Sequence, residues 1–357
     1  MNDYARSTLD LDGAAERIAA ARGPVLVLTH AKPDGDAFGS VVALVAAIRR
    51  GGGTAHGVLV PPVPASLAAR PYAALASVWH EGAGVAGLPV PPDEVALFVV
   101  VDTGAWSQVG PLRAVVEPRL DRTLIIDHHL SGDIPAADRL VDAAAAAACE
   151  LVAQVITRLP GADTPGDPLT DPTIGEALFM GIASDTGWFR YANVRPATLE
   201  LAATLIRGGV DHAELYQKLE RNERPEKLAL LSRALQSLTY VAGGRAAIMS
   251  LRPADFVQTG AAPEETEGLI DLPQRVGNVR VAVLLTESPG APGEPPLTRM
   301  SFRSRHAADA ADTVNVAALA AQLGGGGHAR AAGAKASKSV EAVFAQVSEM
   351  LSASLEH

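Results

Sequence analysis

Thr29-His30-Ala31-Lys32-Pro33-Asp34-Gly35-Asp36-Ala37-Phe38-Gly39-Ser40 follows the apolar run 25–28 and precedes a longer one, 41–50, that Gly51-Gly52-Gly53 stops. The first run reads as a buried parallel strand and the second as a helix. An imidazole and two carboxylates thus occupy a strand-to-helix loop at the carboxyl end of a strand, where open α/β sheets bind ligands. Pro33 and Gly35 bend the chain between the acids, which lets His30, Asp34 and Asp36 aim at one point. Oxygen and imidazole donors without a thiol suit Mn²⁺, Mg²⁺ or Zn²⁺. The competing reading is an ordinary polar turn in which Asp36 caps the following helix. The rest of the chain decides between them.

A chain of 357 residues has room for two domains. Aromatic residues make up only 4%, so its cores must lean on Ala, Val and Leu. The net charge of −10 argues against a large duplex-DNA surface, though not against a small basic pocket for an anion. A single cysteine, Cys149, leaves no intramolecular disulfide and no multi-cysteine metal site. Residues 1–12 carry no signal-peptide pattern, and no apolar run approaches the ~20 residues of a membrane span. The expectation is a soluble cytoplasmic protein without membrane partners. Leu355-Glu356-His357 reads as the start of a purification-tag remnant outside the fold.

Strands are expected at 55–60, 95–101 and 124–126, and helices at 11–22, 143–159 and 174–184. Their alternation implies an N-terminal doubly wound parallel sheet. Helices then run without strands over 196–207, 211–219 and 225–240. Strands return at 245–251, 279–286 and 297–303, with helices at 265–272 and 314–323. The fold class is therefore α/β: a catalytic domain over 1–195, a helical connector over 196–240 and a smaller α/β domain over 241–352.

Three further acidic points share the position of the opening loop. Asp102 ends one strand, Asp127 ends another with His128 and His129 beside it, and Asp185 follows a helix. Each alone reads as a turn or cap residue. Together they give six candidate ligands along one sheet edge: His30, Asp34, Asp36, Asp102, His128 and Asp185. That number suits two divalent ions ~4 Å apart bridged by one carboxylate. Without cations, so many carboxylates would raise one another's pKa values.

The order His-x-x-x-Asp-x-Asp, strand-end Asp, Asp-His-His and Ser-Asp-Thr-Gly resembles the DHH phosphoesterase superfamily. Gly324-Gly325-Gly326-Gly327-His328-Ala329-Arg330-Ala331-Ala332-Gly333 and Ser301-Phe302-Arg303-Ser304 resemble the DHH-associated C-terminal domain. The two-domain order looks most like the NrnA-type oligoribonucleases and adenosine-bisphosphate phosphatases. The resemblance implies that His30, Asp34 and Asp102 hold one Mn²⁺ and that Asp36, Asp102, His128 and Asp185 hold a second, with Asp102 bridging. It implies that Asp127 orients a neighbouring imidazole and that His129 lies near the reacting phosphate, both with a catalytic role. It implies a homodimer and an Mn²⁺-dependent phosphodiesterase and phosphomonoesterase. The substrates would be short RNA, pApA, adenosine 3′,5′-bisphosphate or cyclic di-AMP. An inorganic pyrophosphatase and a non-catalytic nucleotide sensor are the alternatives.

The glycine run exposes backbone amides of the kind that cradle phosphate, or else it is a flexible linker. The binding reading is favoured and takes in Gly325, Gly326, Gly327 and His328. On the strand after Leu297, Arg299, Ser301, Arg303 and Arg305 share one face and Met300 and Phe302 the other. The guanidinium forks suit phosphate oxygens, and the resemblance implies Ser301 and Arg303, with Arg305 beside them, as the contacts. Phe189, Tyr191 and Asn193 follow the Asp185 turn, where an aromatic either stacks on a base or packs in the core.

Overall fold

The computed structural model describes residues 4, 6–159, 166–290, 294–305 and 313–355. It divides into two compact units, Met1–Asn222 and Glu223–His357.

In the first unit, strands β1 (Val25–Ala31), β2 (Ala55–Val60), β3 (Ala76–Val78), β4 (Leu97–Val101), β5 (Thr123–Asp127) and β6 (Asp138–Val141) form one sheet. Their order is β3-β2-β1-β4-β5-β6 and every pairing is parallel. The helices are α1 (Leu11–Ala19), α2 (Gly35–Arg50), the single turns α3 (Ala65–Ala68), α4 (Trp106–Val109) and α5 (Arg113–Val116), then α6 (Ala148–Ile156), α7 (Pro172–Asp185), α8 (Pro196–Arg207) and α9 (His212–Glu220). Strand order reverses between β1 and β4, which makes that crevice the topological switch point.

The central strands are continuous apolar runs because both faces are covered. Val25 and Val27 of β1, with Leu97, Val99 and Val101 of β4, enter the core shared with α1, α2, α6 and α7. Leu26, Leu28, Phe98 and Val100 enter the opposite core, with Trp106, Val109 and Leu112. On the first face α2, α6 and α7 pack closely. A Cβ at Gly181 of α7 would collide with Cys149 Sγ and come 2.9 Å from Asp36 Oδ1. A glycine at that position thus lets α7 approach the loop acids, and Asp185 is its last residue.

The second unit holds α10 (Pro225–Gln236), α11 (Pro253–Thr259), α12 (Val316–Ala321) and α13 (Val340–Leu355), with strands β7 (Thr239–Val241), β8 (Ala246–Leu251), β9 (Val281–Ser288), β10 (Leu297–Ser304), β11 (Gly326–His328) and β12 (Ala331–Ala336). Its sheet runs β11-β12-β10-β9-β8-β7 and is mixed, β8 and β9 being parallel. α12 and α13 cover one face and α10 the other.

Several expectations change. The segment read as a 196–240 connector is shared out, α8 and α9 going with the first unit and α10 with the second. The helix expected through Tyr240 ends at Gln236, and Thr239–Val241 pairs with β8 instead. The helix expected over 265–272 is two short turns broken at Gly268, whose φ of 80° is left-handed. Leu355, set aside as a tag remnant, is the buried end of α13. Residues 356 and 357 lie outside the described residues.

Candidate metal centre

Every expected ligand in the first unit lies at the carboxyl edge of the sheet or at a helix end facing it. His30 is the penultimate residue of β1, Asp102 directly follows β4, and Asp127 closes β5 with His128 next. Asp34 is the N-cap of α2, its Oδ1 accepting from the Asp36 and Ala37 amides at 3.1 and 3.0 Å. Asp36 does not cap its own helix. Its Oδ2 and Oδ1 accept from Ala148 and Cys149 at the start of α6, at 2.6 and 2.9 Å. The loop acid thereby ties α6 to the cluster.

The groups converge on Asp102. His30 Nε2 lies 3.4 Å from Asp102 Oδ2 and 3.9 Å from Asp34 Oδ1. His128 Nε2 lies 3.3 Å from Asp102 Oδ1, 3.4 Å from Asp185 Oδ2 and 3.8 Å from Asp36 Oδ2. Among the described residues, His30, Asp34 and Asp102 form one group able to share an ion, Asp36, His128 and Asp185 another, and Asp102, His128 and His129 a third. Asp102 stands between the first two, one oxygen toward each of His30 and His128.

Two observations fit this donor set to divalent ions. Asp102 is 3% exposed, yet its Oδ1 makes no hydrogen bond, a costly state for a buried acceptor. It is held there on a left-handed backbone, φ 61°, uncommon for a residue with a side chain. His30 Nδ1 lies 3.0 Å from the Ala31 carbonyl and His128 Nδ1 3.2 Å from that of Ala145. A proton on each Nδ1 satisfies those carbonyls and turns the Nε2 lone pairs to the carboxylates, the arrangement of metal-ligating histidines.

The carboxylates and imidazoles of the cluster shift one another's titration. Burial pulls His30 down, but Asp102, the Ala31 carbonyl and Asp34 prevail and raise it to about 9. Burial likewise opposes the shift at His128, which Asp102, Asp36 and Asp185 raise to about 10. Burial and the like charges of Asp102 and Asp34 outweigh His128 and raise Asp185 to about 6. Burial, with Asp102 and Asp185, pushes Asp36 well up. Asp102 moves the other way: burial opposes it, but the two imidazoles hold it low.

Asp127 is fully buried and belongs to none of these groups. Its Oδ1 accepts from the His128 amide at 2.8 Å and pairs with His129 Nδ1 at 2.7 Å. That contact raises the His129 pKa and turns the ring's Nε2 away from the carboxylate. Oδ2 accepts from the hydroxyl of Tyr4 at 2.6 Å.

The second unit presents the other expected residues. β10 alternates as expected, Met300 and Phe302 inward and Arg299, Ser301 and Arg303 outward. Across β11, β12 and β10, Gly326, Gly333 and Ser301 stand in one row, and His328, Ala331 and Arg303 in the row two positions along, with Gly327, Ala332 and Phe302 between. The His328 side chain lies outside the described residues. Not all the glycine amides are available to a ligand: Gly324 donates to Ala321 and Gly325 to Ala320, closing α12. A Cβ at Gly325 would strike Gly333 O, whereas one at Gly326 would meet nothing within 4 Å. Arg305 is engaged too, its Nη1 donating to the Gly277 carbonyl at 2.5 Å.

Residues 24–182 match the N-terminal domain of the DHH family. A bifunctional oligoribonuclease and PAP phosphatase NrnA of Thermus thermophilus is 30% identical over 320 residues, 90% of this chain and 86% of its own. The chain belongs to the DHH family. The corresponding protein of Bacillus subtilis is 24% identical, over 87% of this chain and 88% of its own. An exopolyphosphatase-related protein from Bacteroides fragilis superposes with a TM-score of 0.82 at 20% identity, covering 97% of both chains. That likeness concerns the two-domain fold alone.

The DHH-family match contains His30, Asp34, Asp36, Asp102, Asp127, His128 and His129, while Asp185 lies three residues beyond it. Tyr4 lies outside it too, and sequence reasoning missed it. The only trace is two distant glycines: a Cβ on Gly104 would strike the Tyr4 hydroxyl, and one on Gly132 would come 2.5 Å from its Cε2.

Proposed function

We propose that the chain is a phosphoesterase, dependent on divalent metal, that hydrolyses small nucleotides to mononucleotides. The observation that carries this is the convergence of the imidazole and carboxylate donors on the Asp102 carboxylate, whose Oδ1 makes no hydrogen bond, at the switch point. His30, Asp34 and Asp102 would hold one ion, and Asp36, Asp102, His128 and Asp185 the other, Mn²⁺ being the ion expected from the sequence. Bound there, divalent ions supply Lewis acidity toward phosphoryl oxygens and an activated water. Asp34 and Asp36 keep the cluster rigid through the helix ends they cap. Asp127 fixes the His129 ring by its Nδ1, which leaves Nε2 to donate toward a phosphoryl or leaving oxygen. With its side chain 44% exposed, His129 is within reach of substrate.

In the second unit, Arg303 and Ser301 are assigned to a further phosphate, beside the floor at Gly326 where no neighbouring side chain explains the glycine. His328 completes this assignment, Gly325 and Gly327 shape the backbone, and Arg305 acts through the turn it pins. The substrates are short oligoribonucleotides, pApA and adenosine 3′,5′-bisphosphate, with cyclic di-AMP a further member. The names of the two bacterial relatives support this class. On the same pattern the enzyme is a cytoplasmic homodimer.

The test is product release, with Mn²⁺ and with chelator, from an RNA series of two nucleotides upward, adenosine 3′,5′-bisphosphate, cyclic di-AMP and pyrophosphate. Metal-dependent turnover concentrated on the shortest RNAs and the bisphosphate is expected. Turnover of pyrophosphate alone, or nucleotide binding without turnover, would replace this reading with one of its alternatives.

A further inference from the structure

After Asp185 the backbone is left-handed at three successive residues, Gly187 (φ 55°), Trp188 (φ 58°) and Phe189 (φ 62°). Side chains resist that conformation, so packing must hold it. Phe189 meets Phe179 edge-on at 5.7 Å, and Trp188 meets Tyr216 edge-on at 4.8 Å. Both aromatics are thereby used in the core. The Arg190 and Tyr191 amides each donate to the Thr186 carbonyl at 3.0 Å and close the turn. Asn193 Nδ2 donates to the carbonyls of Asp185 and Ala146 at 3.3 and 3.1 Å, which ties the turn to the end of α7 that bears Asp185 and to the segment leading into α6.

Tyr191 is the aromatic that the core leaves out, 57% exposed. Its ring covers Gly187. A Cβ there would lie closest to Tyr191 Cζ and almost equally near Cε1 and Cε2, at 2.6 and 2.7 Å. Near-equal distances to these three atoms put that point over the ring face, not beyond its edge. One face of the ring is therefore seated on a glycine that has to lack a side chain, and that glycine stands two residues past a metal-ligand candidate, Asp185. Arg190 Nε braces the same glycine through its carbonyl at 2.6 Å.

We propose that Tyr191 is the stacking platform for a nucleobase of the substrate. The reading rests on the small-nucleotide assignment above. Every base has a π-face, so such a platform admits any nucleobase while rejecting ligands that have none. It makes the first unit itself a reader of nucleotides as distinct from other phosphate esters.

The experiment compares kcat/KM of the full-length, Mn²⁺-loaded protein on adenosine 3′,5′-bisphosphate and on the base-free ribose 3,5-bisphosphate, in wild type, Tyr191→Ala, Tyr191→Phe and Tyr191→Trp. The preference for the nucleotide should fall about tenfold in Tyr191→Ala, chiefly through KM, and persist in the Phe and Trp variants. Quenching of a 2-aminopurine dinucleotide on binding should weaken in Tyr191→Ala alone. Equal preference in wild type and Tyr191→Ala overturns the proposal, as does loss in the Phe variant equal to that in the Ala variant. A wild type that turns over no nucleotide refutes the underlying assignment, and this one with it, a result read without any variant.

Discussion

The Tyr4 hydroxyl donates to Asp127 Oδ2 at 2.6 Å, across 123 positions of sequence. Asp127 is fully buried, and its other oxygen holds the His128 amide and His129 Nδ1. Tyr4 thus completes the set of donors around the carboxylate that aims His129. Tyr4→Phe leaves Oδ2 without this donor, at a cost of about 1–3 kcal/mol. A fall in Tm of several degrees is expected for a unit of this size. Loss of a partner that orients an imidazole typically costs about tenfold or more in activity. Steady-state kinetics should therefore show a lower kcat with metal content retained. An unchanged kcat would mean that His129 is held without Tyr4.

The same contact predicts an asymmetry at Gly104. A Cβ there would strike the Tyr4 hydroxyl, so Gly104→Ala has to expel the tyrosine or distort its own loop. In the Tyr4→Ala background the three atoms that the added methyl would strike first are gone. Thermal melts of the two single variants and the double variant form a cycle. Gly104→Ala should be strongly destabilising in the wild type and close to neutral in Tyr4→Ala. Equal costs in both backgrounds would show that the glycine serves its own backbone.

Asp102→Asn is the sharpest probe of the metal assignment. Asparagine tolerates the left-handed backbone at this position and keeps the shape of the side chain, so folding should survive. It removes the charge on which both imidazoles converge. Bound Mn²⁺, counted by elemental analysis after dialysis, should fall, and turnover should fall by about a hundredfold or more. Full metal content in this variant would move the centre away from Asp102.

The ligand-bearing edge was readable because Asp102 and Asp127 each close an uninterrupted apolar run, the composition of a doubly covered parallel strand. Asp36 was half readable. Its place in the cluster followed from the loop, but its bond to Ala148 and Cys149 joins segments 112 residues apart, and no local pattern encodes it. β12 was not readable: Ala331, Ala332, Gly333, Ala334 and Lys335 have weak strand preference, and their extension comes from pairing with β10 and β11. α13 was readable and passed over, since Val340, Val343, Val347, Leu351 and Leu355 recur at helical spacing and all face one core. The Glu265 segment misled through composition, because Gly268 breaks it at a single left-handed residue.

The raised histidines set the pH dependence of the metal-free protein. His30 and His128 keep their protons up to about 9 and about 10, against 6.5 without the fold. Between those limits the native state binds more protons than the unfolded state, so stability falls as pH rises. The contribution is complete below about 6.5 and is lost through the folded values. Asp185, raised to about 6 from 3.8, acts in the same sense at lower pH. Asp102, held low, acts in the opposite sense and only on the acid side. With chelator, Tm should therefore decline from pH 6.5 to 10. Divalent ions replace the protons that the imidazoles hold, so the rise in Tm on adding Mn²⁺ should grow over the same interval. Calorimetric titrations in two buffers of different ionisation enthalpy should count the protons released at neutral pH. A metal-induced shift independent of pH, with no protons released, would mean that the imidazoles are already neutral and that the carboxylates do not hold them charged.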